Sequence, residues 1–135
     1  KQFLNDAERN HEDFSHSLLL ILDKLEDERK AILIAKTFKI YVEEKFSREI
    51  FDRLLLIVNR GFYADLLKII AFEGHDELVT DGNQIEPESL AELFSCGLLR
   101  DAGLDGGEFA LSSGGTIYKL NKYGEIFLRV VKAID

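Results

Sequence analysis

The chain has 135 residues, a hydrophobic fraction of 46% and a formal net charge of −8. This length suits one domain, or a helical part and a small module that share one core, and the apolar content suffices for a packed interior. The longest uninterrupted apolar runs have five residues, as at 18–22 and 31–35, and are far too short to cross a bilayer, so we expect no membrane contact from this segment.

The negative charge is concentrated in one part of the chain. Residues 73–108 contain ten acidic residues and one base, Arg100, whereas the other 99 residues contain 15 acidic and 16 basic residues. Such an anionic segment repels phosphate groups and favours cationic partners, although it also serves solubility. Its composition therefore disfavours nucleic acid and favours a basic protein partner.

The single cysteine, Cys96, excludes an internal disulfide and is typical of a reducing compartment, so we predict a cytoplasmic location. Because it lies between apolar residues, we interpret it as a buried structural thiol and not a nucleophile. The chain begins at Lys1 and contains no methionine, and we therefore interpret it as part of a longer protein.

The first half of the chain shows helical periodicity. Apolar positions from Phe3 to Leu25 recur every three or four residues, which predicts an amphipathic first helix; pairing of residues 3–25 between chains would give a homo-oligomer. A break is expected near Asp27, since an aspartate can cap the helix that follows. The second helix is predicted from about Glu28 to Lys45. Its predicted apolar stripe consists of Ala31, Ile32, Ala35, Phe38 and Val42.

Two further helices complete a predicted antiparallel bundle over residues 1–72. Ser47 is a credible N-cap for the third helix, and Gly61 suits its end. The apolar face of this helix is wide enough for burial on more than one side and consists of Ile50, Phe51, Leu54, Leu55, Ile57 and Val58. The fourth helix is predicted over Tyr63–Phe72.

The chain then changes character. Residues 73–86 read as an acidic surface connection with a short edge strand at 78–80. Pro87 suits the first turn of a helix that covers Glu88–Cys96 and ends at Gly97. This helix is expected to bury Leu90, Leu93 and Phe94.

A hairpin and a closing helix are predicted for the last residues. Residues 101–108 read as a loop, and 109–111 and 116–118 as two strands around the glycine-rich turn 113–115. Asn121 is expected to cap the final helix, whose inward residues are Ile126, Phe127, Val130 and Val131. The predicted fold class is mainly α (α+β): a helical bundle of three to four helices over 1–72, the connection 73–86, and a small module with an antiparallel β-hairpin over 87–135. We expect these parts to share one core.

The C-terminal module resembles the end of many winged-helix domains. The pattern runs from a helix through Gly97-Leu98-Leu99 and a hairpin to Leu-x-x-x-Gly at the start of a helix, over about the last third of the chain. The residues that carry it are Leu90, Leu93, Gly97, Leu98, Leu99, Tyr118, Leu120, Asn121 and Gly124. In that family the helix before the hairpin commonly reads the major groove of DNA. Separately, the segment 30–67 looks like stretches of uncharacterised bacterial and phage proteins.

Two departures from the winged-helix pattern weaken the expectation of DNA binding. The acidic segment 73–86 occupies the interval in which the family places another helix. The helix that would enter the groove also presents acids and hydroxyls where DNA readers carry cations and amides, namely Glu88, Ser89, Glu92 and Ser95.

No motif for catalysis, cofactor binding or metal binding stands out. His11 and His16 are five residues apart and would lie on different faces of a helix. His75 with Glu73, Asp76 and Glu77 resembles a solvated acidic loop more than a metal site, and the glycines after Arg100 are not followed by the lysine of a phosphate-binding loop. We therefore predict a protein that is not an enzyme and carries no cofactor.

The sequence thus favours a non-catalytic protein-interaction or regulatory domain of a larger bacterial or phage protein. A DNA-binding transcriptional regulator of the winged-helix type is the alternative. The candidate surface for a basic partner consists of Glu73, Asp76, Glu77, Glu86, Glu88 and Glu92.

Overall fold

The computed structural model describes residues 15–16, 18–23, 25, 27–82, 84–104 and 115–134. Residues 15–16 and 18–23 are helical and Leu25 is not, while the other residues of the predicted first helix lie outside this part. The helices that follow are α1 (Arg29–Glu44), α2 (Arg48–Arg60), α3 (Tyr63–Leu67), which continues as a 3-10 helix (Lys68–Phe72), α4 (Pro87–Ser95) and α5 (Lys122–Lys132). Strands β1 (Leu78–Val79), β2 (Leu99–Leu104) and β3 (Thr116–Leu120) form an antiparallel sheet in the order β1-β3-β2. The mainly α (α+β) class is confirmed.

Local signals in the sequence set where the helices begin. The Ser47 hydroxyl accepts the Ile50 amide proton at 3.2 Å, so this predicted N-cap is confirmed. Asp27 accepts the Arg29 amide proton at 3.0 Å just ahead of α1, which confirms the break there, although Glu28 precedes the first turn and does not lie in it. Pro87 is the first residue of α4, where its missing amide proton has no helical partner to lose.

The apolar stripe predicted for α1 is wrong. Ile32, Phe38 and Val42 are 50%, 38% and 55% exposed, respectively. The face that enters the core instead consists of Leu33, Ile34, Thr37 and Ile40. Periodicity misled here because apolar residues lie on both sides of the helix, and because the buried face includes a polar residue, Thr37. The Thr37 hydroxyl donates to the Leu33 carbonyl at 2.7 Å, which satisfies it inside the core.

The wide apolar face of α2 is confirmed, since five of its six predicted members are buried and Ile50 is half-buried. Gly61 ends the helix as predicted, but with φ −71°, an ordinary value for any residue. A Cβ atom at Gly61 would lie 2.6–2.9 Å from three side-chain carbons of Leu66. The position therefore requires glycine for the close packing of α3 and not for a left-handed conformation.

The sheet differs from the predicted hairpin in its first strand. Residues 101–104, predicted as loop, continue β2, and the pairing with β3 shifts by one residue between Asp101 and Leu104. Gly103 has φ +111° within this shift, and its amide donates to the Asp101 carboxylate at 2.8 Å. The glycine thus forms a bulge where composition indicated a loop. The predicted strand 109–111 and turn 113–115 lie within residues 105–114, outside the described part, apart from Gly115.

The end of α4 and the start of α5 meet at one junction. Gly97 has φ +98°, and the Leu98 amide donates back to the Leu93 carbonyl at 3.1 Å, as in a Schellman C-cap. Asn121 donates from Nδ2 to the Gly97 carbonyl at 2.7 Å and accepts the Gly124 amide proton at 2.9 Å, which confirms its predicted capping role. A Cβ atom at Gly124 would overlap the Leu98 carbonyl oxygen, so only glycine allows this approach.

The buried apolar residues, from Leu33 in α1 to Val131 in α5, form a single cluster. The predicted inward residues of α5, Ile126 among them, all belong to it. Two ion pairs bind α5 to earlier elements: Arg129 donates to both Glu44 oxygens of α1 at 2.6 and 2.8 Å, and Lys132 lies 3.1 Å from Glu73, which follows the 3-10 helix. The acidic connection 73–86 therefore joins two parts that pack together, while the domain boundaries at 72 and 86 stay a prediction.

We predict that Asn121→Ala lowers the free energy of unfolding by about 2–3 kcal/mol, because both the helix cap and the bond to Gly97 are lost. Asn121→Asp keeps the acceptor for the cap but removes the Nδ2 donor, so we expect a smaller loss. Ser47→Ala, which removes a cap alone, should cost about 1 kcal/mol. Urea unfolding measures all three. An Asn121→Ala loss no larger than that of Ser47→Ala would show that the junction adds nothing beyond a cap.

Candidate functional site

Helix α4 has one buried face and one exposed face. Ser89, Leu90 and Leu93 are buried, and the residues that alternate with them toward solvent are Glu88, Ala91, Phe94 and Ser95. The Glu86 carbonyl accepts the amide protons of Ser89 and Leu90 at 3.0 and 3.1 Å and closes the first turn. The expectation that Ser89 faces a partner is wrong, since it is only 2% exposed.

Polar contacts with the start of α3 fix the orientation of α4. The Ser89 hydroxyl donates to the Asp65 carboxylate at 2.7 Å, and the Glu92 carboxylate accepts the Phe62 amide proton at 3.2 Å. The first bond satisfies a buried hydroxyl, and the second satisfies an amide at a helix N-terminus that has no side-chain cap of its own. The outward direction of the remaining α4 side chains follows from these anchors.

Phe94 lies on the exposed side of α4. The prediction that it is buried is wrong, because 42% of it is exposed. Leu90 and Leu93 already face the core, and the next position turns about 100° around a helix of 3.6 residues per turn. The Phe94 ring packs against Tyr118 of β3 with 5.2 Å between the ring centroids. Helix and hairpin thus share an aromatic pair that is accessible from solvent.

The six acids of the predicted surface have unequal roles. Glu73 forms an ion pair with Lys132, and Glu92 is half-buried and bonded to the Phe62 amide. The other four are exposed and form no ion pair with any residue in the described ranges: Asp76, Glu77, Glu86 and Glu88. Glu86 and Glu88 flank the start of α4, two turns before Phe94. Whether the six act together as one surface stays a prediction.

Basic residues occur on the hairpin and not on α4. Arg100 of β2 is directly opposite Lys119 of β3 in the register of the sheet. Like charges in such a cross-strand pair disfavour the sheet slightly, and an anion beside them would relieve the repulsion. Lys122, at the start of α5, is exposed.

The environment of Cys96 suits a structural thiol. The residue is half-buried, and its sulfur lies 3.4 Å from the Leu93 carbonyl oxygen. Burial, reinforced by the Glu92 carboxylate, raises the pKa of the Cys96 thiol to about 11. The nucleophilic thiolate is therefore scarce near neutral pH.

The histidines do not gather metal ligands in the part of the chain that the structure describes. His16 and His75 are both exposed, and His11 lies outside that part. No group of three or more His, Cys, Asp or Glu side chains within the described ranges is arranged to hold a metal ion. None of the helices described is long and apolar enough to span a membrane.

Two features of the surface escaped the sequence analysis. The outward position of Phe94 follows only from the packing of α4 on α3, which no local pattern reveals. The arginines Arg53 and Arg60 are seven residues apart on α2 and therefore share a helix face; this spacing was a usable signal.

Comparison with protein-family models, with curated proteins and with solved structures finds no match to this chain.

We predict that alkylation of Cys96 by iodoacetamide is slow at neutral pH and accelerates with a midpoint near pH 11. The midpoint for an ordinary thiol is near pH 9.0. Because the folded state raises the pKa of this acid, its effect on stability is absent below pH 9. Above pH 9 the unfolded state releases the proton first, so the protein loses stability up to about pH 11. Cys96→Ser should lack this loss. Equal pH slopes of unfolding free energy for both proteins would contradict the assignment.

Proposed function

We propose that this chain is a non-catalytic protein-interaction domain of a larger bacterial or phage protein, and that its exposed α4 face and hairpin bind a basic partner. The observation that carries the proposal is the solvent-accessible pair of Phe94 and Tyr118. Aromatic residues are typical anchors of protein interfaces. The acids Glu86 and Glu88 on the same helix favour a partner with Lys or Arg beside an apolar side chain.

A winged-helix-like arrangement supports this proposal. The order helix, strand, strand, helix at the end of the chain, and the position of Tyr118 against Phe94, suit a hairpin that packs beside the helix before it. The described residues between β1 and α4 form turns, and α3 packs against α4. We infer that α3 supports α4 in place of the helix that the family pattern would put there.

The interaction test uses the chain as bait in a bacterial lysate and then measures the affinity of the captured protein by calorimetry. Phe94→Ala should weaken binding by about 2 kcal/mol, roughly 30-fold, as expected for a central aromatic anchor. The double variant Glu86→Lys/Glu88→Lys should weaken it further at low salt. Val42→Ala, an exposed apolar change on α1, is the matched control and should bind normally.

Retention of the same partner by both the Phe94 variant and the charge-reversed variant would remove α4 from the interface. Retention by the charge-reversed variant alone would leave the aromatic anchor and contradict the basic character of the partner.

A DNA-binding regulator is the second candidate, and the opposed bases Arg100 and Lys119 on the hairpin favour it. We expect no binding of duplex DNA at physiological salt, because α4 brings Glu88 and Glu92 where cations are required. Fluorescence anisotropy with a labelled duplex tests this. Salt-dependent binding that Arg100→Gln and Lys119→Gln abolish would instead establish the DNA-binding reading.

A further inference from the structure

A cleft of about 420 Å³ lies between α2 and α4. The α2 side contributes Arg53, Leu56, Ile57 and Arg60, and the α4 side contributes Glu92, Ser95 and Cys96. This volume falls within the range of small-ligand sites in proteins, which are typically apolar with a few polar groups. Phe94, the proposed anchor for a protein partner, is not among the residues that line this cleft.

The two arginines of the cleft differ from the other arginines on the helices. Arg29, Arg48 and Arg129 each lie within 3.0 Å of a carboxylate oxygen. Arg53 and Arg60 form no ion pair with any residue of the described ranges. The Arg53 guanidinium lies instead over the ring of Tyr123, 5.3 Å from its centroid, which positions the group without neutralising its charge.

The carboxylate in the cleft has another partner. Glu92 accepts the Phe62 amide proton at 3.2 Å and is therefore held toward α3. Its single charge leaves the three ionised groups of the cleft with a net charge of +1, which suits one monoanionic group. A dianionic phosphate would be repelled by Glu92 more strongly than a carboxylate would be.

The rest of the lining offers apolar surface and one hydroxyl. Leu56 is 49% exposed and lines the cleft, and in the sequence it lies between the two arginines. Ile57 and the neutral Cys96 thiol continue the apolar surface, and the exposed Ser95 hydroxyl supplies a hydrogen-bond donor. An apolar chain attached to the anion would cover Leu56.

We propose that this cleft binds an amphipathic monocarboxylate, with its carboxylate between Arg53 and Arg60 and its apolar chain over Leu56. A guanidinium can hold a carboxylate through two parallel hydrogen bonds, which gives the site its preference for this group. Ser95 belongs both to the exposed face of α4 and to the lining of the cleft, whereas Phe94 and Tyr118 do not line the cleft.

Cys96 lies in the cleft and is the only cysteine of the chain, so it reports occupancy directly. The test follows the rate of Cys96 alkylation at mildly alkaline pH with octanoate, octanol, acetate or octyl phosphate. Octanoate at about ten times its dissociation constant should slow the reaction by on the order of tenfold, by mass action. Octanol and acetate at the same concentration should slow the reaction little, because octanol lacks the carboxylate and acetate lacks the apolar chain.

Variants separate the site from a general effect on the protein. Arg53→Gln/Arg60→Gln should abolish protection by octanoate, whereas Arg100→Gln, which removes an exposed arginine on β2, should leave it intact. Glu92→Gln should strengthen protection, because it removes the one negative charge from the cleft. Thermal unfolding identifies any variant that is not folded. Octanoate should protect Cys96 in the Phe94→Ala variant as well as in the wild type, even if the proposed protein interface is wrong.

Four results would overturn the proposal. Protection by octanol equal to that by octanoate would leave only an apolar cleft. Protection that persists in a folded Arg53→Gln/Arg60→Gln protein would remove the arginines from the site, as would an absence of protection at millimolar octanoate. Stronger protection by octyl phosphate would replace the carboxylate with a phosphate ester as the ligand class.

Discussion

The junction between the end of α4 and the start of α5 is the constraint on which the C-terminal half depends. Asn121 binds the Gly97 carbonyl with its side chain and the Leu98 carbonyl with its own amide, at 2.7 and 3.1 Å. Gly124 then packs directly on the Leu98 carbonyl. One asparagine therefore satisfies backbone groups at the end of α4 and at the start of α5. These bonds hold the start of β2 and the end of β3 close together.

This constraint also determines what α4 presents to solvent. With its C-terminal end held at Asn121 and its inner face held by the bonds from Ser89 and Glu92 to α3, the helix has no freedom to rotate. Phe94 must then lie outside the core, and Tyr118 is the aromatic neighbour that the hairpin supplies. The exposed aromatic pair is therefore a consequence of how α4 is anchored, and replacing it would leave the anchors intact.

The sequence predicts those features that depend on a few adjacent residues. Ser47, Pro87 and Asn121 act within one helical turn, so their residue types suffice to locate the helix starts. The side on which α1 is buried could not be predicted in the same way, because Ile32, Leu33 and Ile34 offer two apolar faces and only packing against α2 and α5 selects between them. The exposed position of Phe94 and the course of β2 likewise depend on partners distant in the sequence. Composition alone made residues 101–104 look like a loop. Of the candidate surface, exposure of Glu86 and Glu88 was predictable, whereas the bond from Glu92 to α3 was not.

The distribution of charge separates groups that stabilise the fold from groups that do not. Glu44, Glu73 and Asp65 each bind a partner on another element and hold helices together. Glu86 and Glu88 on one side of α4, and Arg53 and Arg60 on the opposing helix α2, have no ion pair within the ranges that the structure describes. Exposed charges without an ion pair contribute little to stability, and of these four only Arg53 has a described contact that positions it, with the Tyr123 ring. The acids of α4 and the arginines of α2 then favour different ligands: a cationic partner at the aromatic face and an anionic one in the cleft.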